Sequence, residues 1–293
     1  MSAMRLAVVV NPLSGRQQGD RVAGEAAALL GRAGHTVVVV PGQTARERSA
    51  ALRLELESGL VDGVVVVGGD GALHGVLDVL IDSDVPVGLV PAGTGNDVAR
   101  TLDLPLRSVL AAVDVVHAGR TREIDLMDVD GTPVASVLAS GFDSKVNERA
   151  NALRWPHGRL RYLRAVAQEL RVFEPLPFDL VLDGVPLSTE AMLVAVGNGE
   201  SFGGGLRICA GAEPDDGLLD VVVIKPVSKA ELLKVFPQLP AGRHVDHPAF
   251  ERHRVRSARL SSPGVVAYGD GERLGPLPCT ATVRPGALRV FVP

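Results

Sequence analysis

The first third of the chain alternates between two hydrophobic rhythms. Leu6–Val10, Thr36–Val40, Gly63–Val67 and Val85–Val90 are short β-branched runs bounded by Gly, Pro or Asn. Continuous apolarity over about five residues marks a strand buried on both faces. Between these runs, Asp20–Arg32, Ala45–Leu56 and Ala72–Ile81 carry Ala and Leu at helical spacing. The alternation predicts a parallel, doubly wound α/β domain over residues 1–120.

Beyond residue 120 the rhythm changes. Two helical stretches, around Asp143–Leu153 and Gly158–Arg171, precede segments that are almost all strand-like. These are Phe178–Leu182, Ala191–Gly197, Leu218–Ile224, Val255–Ser261 and Ala287–Val292, with turns at Asp183-Gly184 and Asp270-Gly271. Residues 121–293 therefore read as a mostly antiparallel, sandwich-like β domain with a helical insertion. The final strand, near 286–293, has the option of returning to the first domain.

Composition narrows the class. A chain of 293 residues buries roughly 75% of its unfolded surface and needs no staples. Apolar residues make up 46%, charged residues 22%, and the net charge is −4, which excludes a disordered tail or a polycation. Aromatics are 3%, too few for the stacking platforms of a single-strand nucleic-acid binder. Cys209 and Cys279 form no disulfide framework and no paired-Cys metal site. The apolar run Leu6–Val10 is too short for a signal-peptide core, and no stretch reaches membrane-span length. The expectation is a soluble, cytoplasmic protein.

The abundant glycines gather after the predicted parallel strands: Asn11-Pro12-Leu13-Ser14-Gly15, Gly68-Gly69-Asp70-Gly71 and Pro91-Ala92-Gly93-Thr94-Gly95-Asn96-Asp97. Ligands of open α/β sheets bind outside the carboxyl ends of the strands. Glycine also lets backbone N–H groups approach a phosphate closely. One such loop merely turns the chain; three on one edge make a polyphosphate cradle. No Gly-Lys-Ser/Thr follows the first strand, so this is not a Walker loop. Asp70, Asp97 and Asp125 would repel phosphate unless Mg²⁺ or a basic group intervened. Their plain alternatives are a turn residue for Asp70 and a helix cap for Asp97.

These three loops resemble those of the diacylglycerol kinase catalytic-domain family, which includes sphingosine kinases and bacterial lipid kinases. Further matches follow in order at Ile124-Asp125-Leu126, Gly141-Phe142-Asp143, Gly197-Asn198-Gly199, Phe202–Gly205, Asp216–Asp220 and Asp270-Gly271-Glu272. The resemblance implies ATP over Asn11, Pro12, Ser14, Gly15 and Arg16, Thr44, the run Gly68, Gly69, Asp70, Gly71, Ala72, Leu73 and His74, and Gly93, Thr94, Gly95 and Asn96. It implies a Mg²⁺–water–carboxylate network on Asp70, Asp97 and Asp125, and a second, structural metal on Glu213, Asp216 and the Leu218 carbonyl. An ordinary hairpin turn is the competing account of Asp215-Asp216-Gly217. Asp270 or Glu272 would accept the proton of a lipid hydroxyl as it attacks the γ-phosphate. Ala72 and His74 stand where the family carries Thr and Asn, which removes one hydroxyl and changes the reach of one donor.

A lipid kinase meets its acceptor at a bilayer surface. Lys145–Arg171 holds seven Lys or Arg against two Glu, with Leu160, Leu163, Ala167 and Leu170 on one helical face and Arg161, Arg164 and Arg171 beside it. Trp155 lies just upstream. This is the pattern of an interfacial helix, and equally of a helix packing one face on a core. Arg252, Arg254 and Arg256 alternate as on one face of a strand, either extending that surface or lying at a solvated edge. The expected function is ATP-dependent transfer of the γ-phosphate to a diacylglycerol-like or sphingoid lipid. The acceptor pocket is expected near Phe142, Val146, Phe202 and Gly203–Gly205. The partners are a lipid at a membrane surface, no nucleic acid, and a homodimer as an option, with peripheral membrane association. A kinase of a soluble acceptor, related to NAD kinases, or a non-catalytic regulator are the alternatives.

Overall fold

A computed structural model describes residues 3–11, 19–81, 83–153, 155, 164–165, 168–169 and 174–293. The N-terminal half holds β1 (Arg5–Val10), α1 (Gly19–Arg32), β2 (Thr36–Val40), α2 (Ala45–Glu57), β3 (Gly63–Gly68), α3 (Asp70–His74), α4 (Leu77–Leu80), β4 (Val87–Pro91), α5 (Asp97–Thr101) and α6 (Val109–Ala118). The second half adds β5 (Thr121–Val129), β6 (Thr132–Val134), β7 (Val137–Gly141), α7 (Phe142–Ala152), β8 (Leu176–Leu182), β9 (Val185–Ala191), β10 (Leu193–Gly197) and β11 (Leu219–Ile224). After α8 (Lys229–Val235) come β12 (Phe250–Val255), β13 (Ser257–Ser261), β14 (Val266–Gly269), β15 (Glu272–Pro276) and β16 (Cys279–Phe291).

The strands form two sheets. One runs β2-β1-β3-β4-β16-β13-β8-β9, with β5 on β16 and β6 on β5; the other runs β12-β11-β10-β7-β14-β15. The first four strands are parallel, and all the pairs of the second sheet are antiparallel. Period-two alternation explains why β1 and β3 are apolar throughout. Ala7, Val9, Val64 and Val66 enter a core beneath α2–α5, while Leu6, Val8, Val65 and Val67 enter a second core beneath α1 and α6. A third core fills the space between the sheets in the second half, from Leu138, Val194, Val196 and Val221 on one side to Phe178, Leu180, Leu260 and Ala281 on the other.

One strand belongs to both halves. The early residues of β16 pair with β13 (Thr282 opposite Ser257), and its late residues lie parallel to β4 (Val290 opposite Val87). Its pairing with β5 slips between Arg284 and Leu288, and Gly286 within that slip donates its N–H to Asp125 Oδ1 at 2.8 Å. Past this point Leu288 and Val290 enter one core of the N-terminal half and Phe291 the other.

Three expectations change in detail. The helix expected over Ala72–Ile81 is broken at Gly75-Val76 into α3 and α4. The strand expected over Val255–Ser261 is two strands, because the chain leaves the second sheet after β12 and enters the first with β13. Helix α6 was not marked as a separate element by the pattern that gave its neighbours. Most of the stretch expected as a helix over 158–171 lies outside the described residues.

Leu288→Ala removes a fully packed side chain contributed by the shared strand, and should cost about 2–5 kcal/mol of stability. Urea denaturation followed at both halves should give one transition at a lower midpoint; two separated transitions would contradict the shared-strand coupling.

Candidate active site

β3 and β4 end side by side, Gly68 opposite Pro91, so the loops that follow them leave the sheet together. Their backbones touch: a Cβ on Gly93 would lie 2.5 Å from the Gly69 Cα, which only glycine permits. Asn96, at a left-handed φ of 55°, closes the second loop on itself. Its Oδ1 accepts the Gly93 N–H at 3.0 Å and its Nδ2 donates to the Gly93 carbonyl at 3.1 Å.

Two aspartates start the helices that follow these loops. Asp70 Oδ1 accepts the Val98 N–H at 3.0 Å. Asp97 Oδ2 and Oδ1 accept the N–H groups of Gly204 and Gly205 at 2.9 and 2.8 Å, so a glycine loop of the second half sits on a carboxylate of the first. Oδ2 of each lies near one point: a Cβ on Gly95 would be 2.8 Å from Asp70 Oδ2 and 3.1 Å from Asp97 Oδ2, the latter also accepting from Gly204. Burial, then the Asp70 charge, push the Asp97 carboxyl up to about 6, against the pull of the two glycine N–H groups. Burial likewise raises Asp70, with the charge of Asp270 adding to it and backbone N–H groups opposing. Arg100 Nε donates to the Gly95 carbonyl at 3.1 Å, placing a cation at the rim of this acidic point.

The turn between β14 and β15 faces the same helix. Asp270, at φ 52°, and Gly271 form a two-residue turn, and Glu272 opens β15. Asp270 is buried and its acceptors are taken. Oδ1 receives the N–H and hydroxyl of Ser136 at 2.8 and 2.6 Å; Oδ2 receives the Ala135 N–H at 3.0 Å and lies 3.1 Å from His74 Nδ1. Glu272 is exposed, with Oε1 3.0 Å from where a Cβ on Gly71 would be. The sequence left Asp270 and Glu272 equal as proton acceptors, and the geometry separates them. Asp270 holds the turn, and the Glu272 carboxylate, over the Asp70 helix, has no hydrogen-bond partner among the described residues. Burial acts against the His74 imidazolium, but the hydrogen bond and charge of Asp270, with Glu272 and Asp78 behind, hold its pKa above the ordinary value.

The remaining expected site residues divide clearly. Pro12, Ser14, Gly15 and Arg16 lie outside the described residues. The Ala72 and Leu73 side chains are in the core beneath the helices, so only their backbone faces the loops. Thr44 caps α2 with its hydroxyl, accepting the Glu47 N–H at 3.2 Å, and Thr94 is exposed on its loop. Asp125 does not join Asp70 and Asp97 in the geometry: its oxygens accept the N–H groups of Gly217 and Gly286, at 2.7 and 2.8 Å. The expected apolar lining is split, with Phe142 and Val146 in one small cluster and Phe202 in another.

The two implied metal positions fare differently. Asp70 and Asp97 fit a hard cation, since paired carboxylates that hold protons too tightly are relieved by positive charge. Among the described residues no group of three or more His, Cys, Asp or Glu is arranged to hold a metal, so further ligands at this pair would be phosphate oxygens or water. Glu213, Asp216 and Leu218 do not fit. Asp216 Oδ2 is paired with the Arg254 guanidinium and Oδ1 accepts the Leu218 N–H at 2.9 Å, while Glu213 is exposed. Asp215 pairs with Arg122 at 2.5 Å and Asp220 pairs with Arg252. Arginines meet the charge that the resemblance gave to a metal. For the same reason Arg252 and Arg254 are not a free basic surface.

Of the basic segment, Arg161, Arg171, Leu160, Leu163, Ala167 and Leu170 lie outside the described residues. Within them, Lys145 pairs with Glu148 at 3.4 Å, Arg149 with Glu169 at 2.6 Å, and Arg164 donates to the Trp155 carbonyl at 2.9 Å. Trp155 is 69% exposed. No described helix is long and apolar enough to cross a membrane. Sequence reasoning missed Ser136, whose only signal was its place just before β7, and Arg100, one turn beyond Asp97.

The glycine loops carrying Asp70 and Asp97 leave the carboxyl ends of parallel strands, where open α/β sheets bind their ligands, and the Gly204-Gly205 loop and the Asp270–Glu272 turn of the sandwich half meet them there. Residues 5–129 match the diacylglycerol kinase catalytic domain, and residues 136–292 match the YegS C-terminal NAD kinase β-sandwich-like domain. The chain is 41% identical to the diacylglycerol kinase of Mycobacterium tuberculosis over 295 residues, covering 99% of this chain and 95% of the other. It is 26% identical to that of Bacillus subtilis, covering 94% and 91%. A crystal structure of a diacylglycerol kinase from Bacillus anthracis superposes with a TM-score of 0.75 at 19% identity over 100% of this chain and 98% of that one, which bears on the fold alone. The chain belongs to the diacylglycerol kinase family.

The raised Asp97 pKa has a sign that can be tested. The folded chain holds this proton more tightly than the unfolded one, so in metal-free protein this group favours folding increasingly as pH falls from about 7 toward about 4. A cation at the pair competes with that proton. The rise in melting temperature on adding Mg²⁺ should therefore be larger at about pH 7.5 than at about pH 5, and Asp97→Asn should flatten the difference. Equal shifts at both pH values would remove the cation from this pair.

Proposed function

We propose that the chain is an ATP-dependent kinase that phosphorylates a hydroxyl of a diacylglycerol-like or sphingoid lipid. The observation that carries this is Glu272, held exposed over the Asp70 helix by a turn whose own carboxylate is fully engaged. The lipid oxygen attacks the γ-phosphorus, the bond from γ-phosphorus to the bridging oxygen breaks, and ADP leaves. Glu272 accepts the hydroxyl proton in that step. The glycine loops after β3 and β4 bring backbone N–H groups to the phosphates. Asp70 and Asp97 would hold Mg²⁺, which supplies charge neutralisation at the phosphate oxygens. The backbone of Gly204 and Gly205, seated on Asp97, fixes how the acceptor half approaches the nucleotide half.

What supports a lipid acceptor is that the family match spans both halves and that the curated relatives named above are diacylglycerol kinases. Such an acceptor would be met at a bilayer surface, with exposed Trp155 as one contact.

The test is radiolabelled ATP with Mg²⁺ and, in parallel, diacylglycerol in mixed micelles, sphingosine, and NAD. Label should enter diacylglycerol or sphingosine; label only in NAD, or in none, would overturn the proposal. Glu272→Gln should lower kcat by about 10²–10⁴-fold with ATP binding unchanged, and full activity in that variant would remove Glu272 as the base.

A further inference from the structure

His74 ends α3, where the resembled family carries Asn within its nucleotide-binding run. Its imidazole is turned to the other half of the molecule. Nδ1 lies 3.1 Å from Asp270 Oδ2, between residues 196 positions apart in the chain. The His74 side chain is 17% exposed and that of Asp270 is 1% exposed.

Asp270 already receives three hydrogen bonds from Ala135 and Ser136. With three donors already on that carboxylate, a fourth hydrogen bond is made with His74 Nδ1 as the protonated, donating nitrogen. The two-residue turn is thereby gripped on both flanks. Ala135 and Ser136, between β6 and β7, hold it from the sandwich side, and His74 holds it from the nucleotide side. Glu272, two residues after Asp270, rests its carboxylate over Gly71, one turn of α3 before His74. The residue that secures the turn and the surface that receives the base are on the same short helix.

We propose that His74, on the nucleotide half, is a positioning residue for the acceptor half, fixing through Asp270 the turn that aims Glu272, and is not a nucleotide ligand. The role in catalysis rests on the kinase function proposed above; the grip on the turn does not. A displacement of the base by about 1 Å is enough to cost about 10²-fold in rate, so holding a solvent-facing turn is a catalytic requirement without contact to substrate.

The test uses the full chain and three variants. His74→Ala removes the donor. His74→Asn keeps an N–H at the position of Nδ1, and His74→Gln moves it to the position of Nε2. In steady-state kinetics His74→Ala and His74→Gln should lower kcat by roughly 10- to 100-fold with KM for ATP unchanged, and His74→Asn should restore most of it. In the Glu272→Gln background, His74→Ala should have no further effect, because no base remains to be aimed. A raised KM for ATP with kcat held, or losses that multiply in the double variant, would overturn the proposal in favour of nucleotide binding.

Hydrogen–deuterium exchange without substrate reads the grip alone. The peptide spanning Asp270–Glu272 should exchange faster in His74→Ala and recover in His74→Asn. Unchanged exchange would overturn the positioning role whatever the activity. The expected exchange pattern in a protein that phosphorylates no acceptor would instead remove the kinase function and leave the grip standing.

Discussion

A buried carboxylate must be met by donors, and in this molecule two of the carboxylates at the site take donors from the opposite half. Asp97 of the nucleotide half accepts from Gly204 and Gly205 of the acceptor half. Asp270 of the acceptor half reaches His74 of the nucleotide half. Asp125, at the crossing, accepts from Gly217 and from Gly286 in the shared strand. Hydrogen bonds to an ionised acceptor are roughly twice as strong as neutral ones, and a buried charge left without them costs several kcal/mol. The halves are therefore registered by directional contacts at the chemical centre as well as by the apolar cores on either side of it. Glycine dominates the partners because a bare backbone approaches a carboxylate most closely.

That registration divides labour between carboxylates that look alike in the sequence. Asp70 and Asp97 keep one oxygen apiece at a common point and repel each other there, which tunes them for positive charge. Asp270 spends all its acceptor capacity on backbone and side-chain donors and so becomes structural. Glu272, two positions later, has none of those donors and stays available. Within the 213–220 segment, Asp215, Asp216 and Asp220 face arginines and their charge is satisfied internally. Identity as Asp or Glu states what a residue can do; its neighbours decide which of those things it does.

Much of the architecture was legible because burial on two faces leaves a strong imprint. β1, β3 and β4 appear as apolar, Val-rich runs, whereas β2 begins and ends at the expected residues but lies at the sheet edge and is not buried on both faces, Val39 being 57% exposed. Glycine gathered after the strands, and at Gly69 and Gly93 the structure gives it a steric reason, the close approach of the two loops. What stayed hidden depends on distant partners. Nothing local to Arg254 announces Asp216, nothing in Ser136 announces Asp270, and Asp125 sits in an acidic motif but serves a bulge 161 residues away. The break between β12 and β13 was invisible for a related reason: both strands satisfy the same period, and only their partners show that the chain changes sheets.

The strand shared by the two halves also sets an order of events during synthesis. Residues 5–118 leave the ribosome carrying their helices and four parallel strands, yet both of their cores lack Leu288, Val290 and Phe291. Until those residues emerge, the open edge of β4 is an unpaired parallel strand, the kind of edge that invites wrong partners. The N-terminal half thus cannot mature first and wait for the rest. Completion of nucleotide and acceptor halves is a single late event, and no half-made molecule presents a finished cleft.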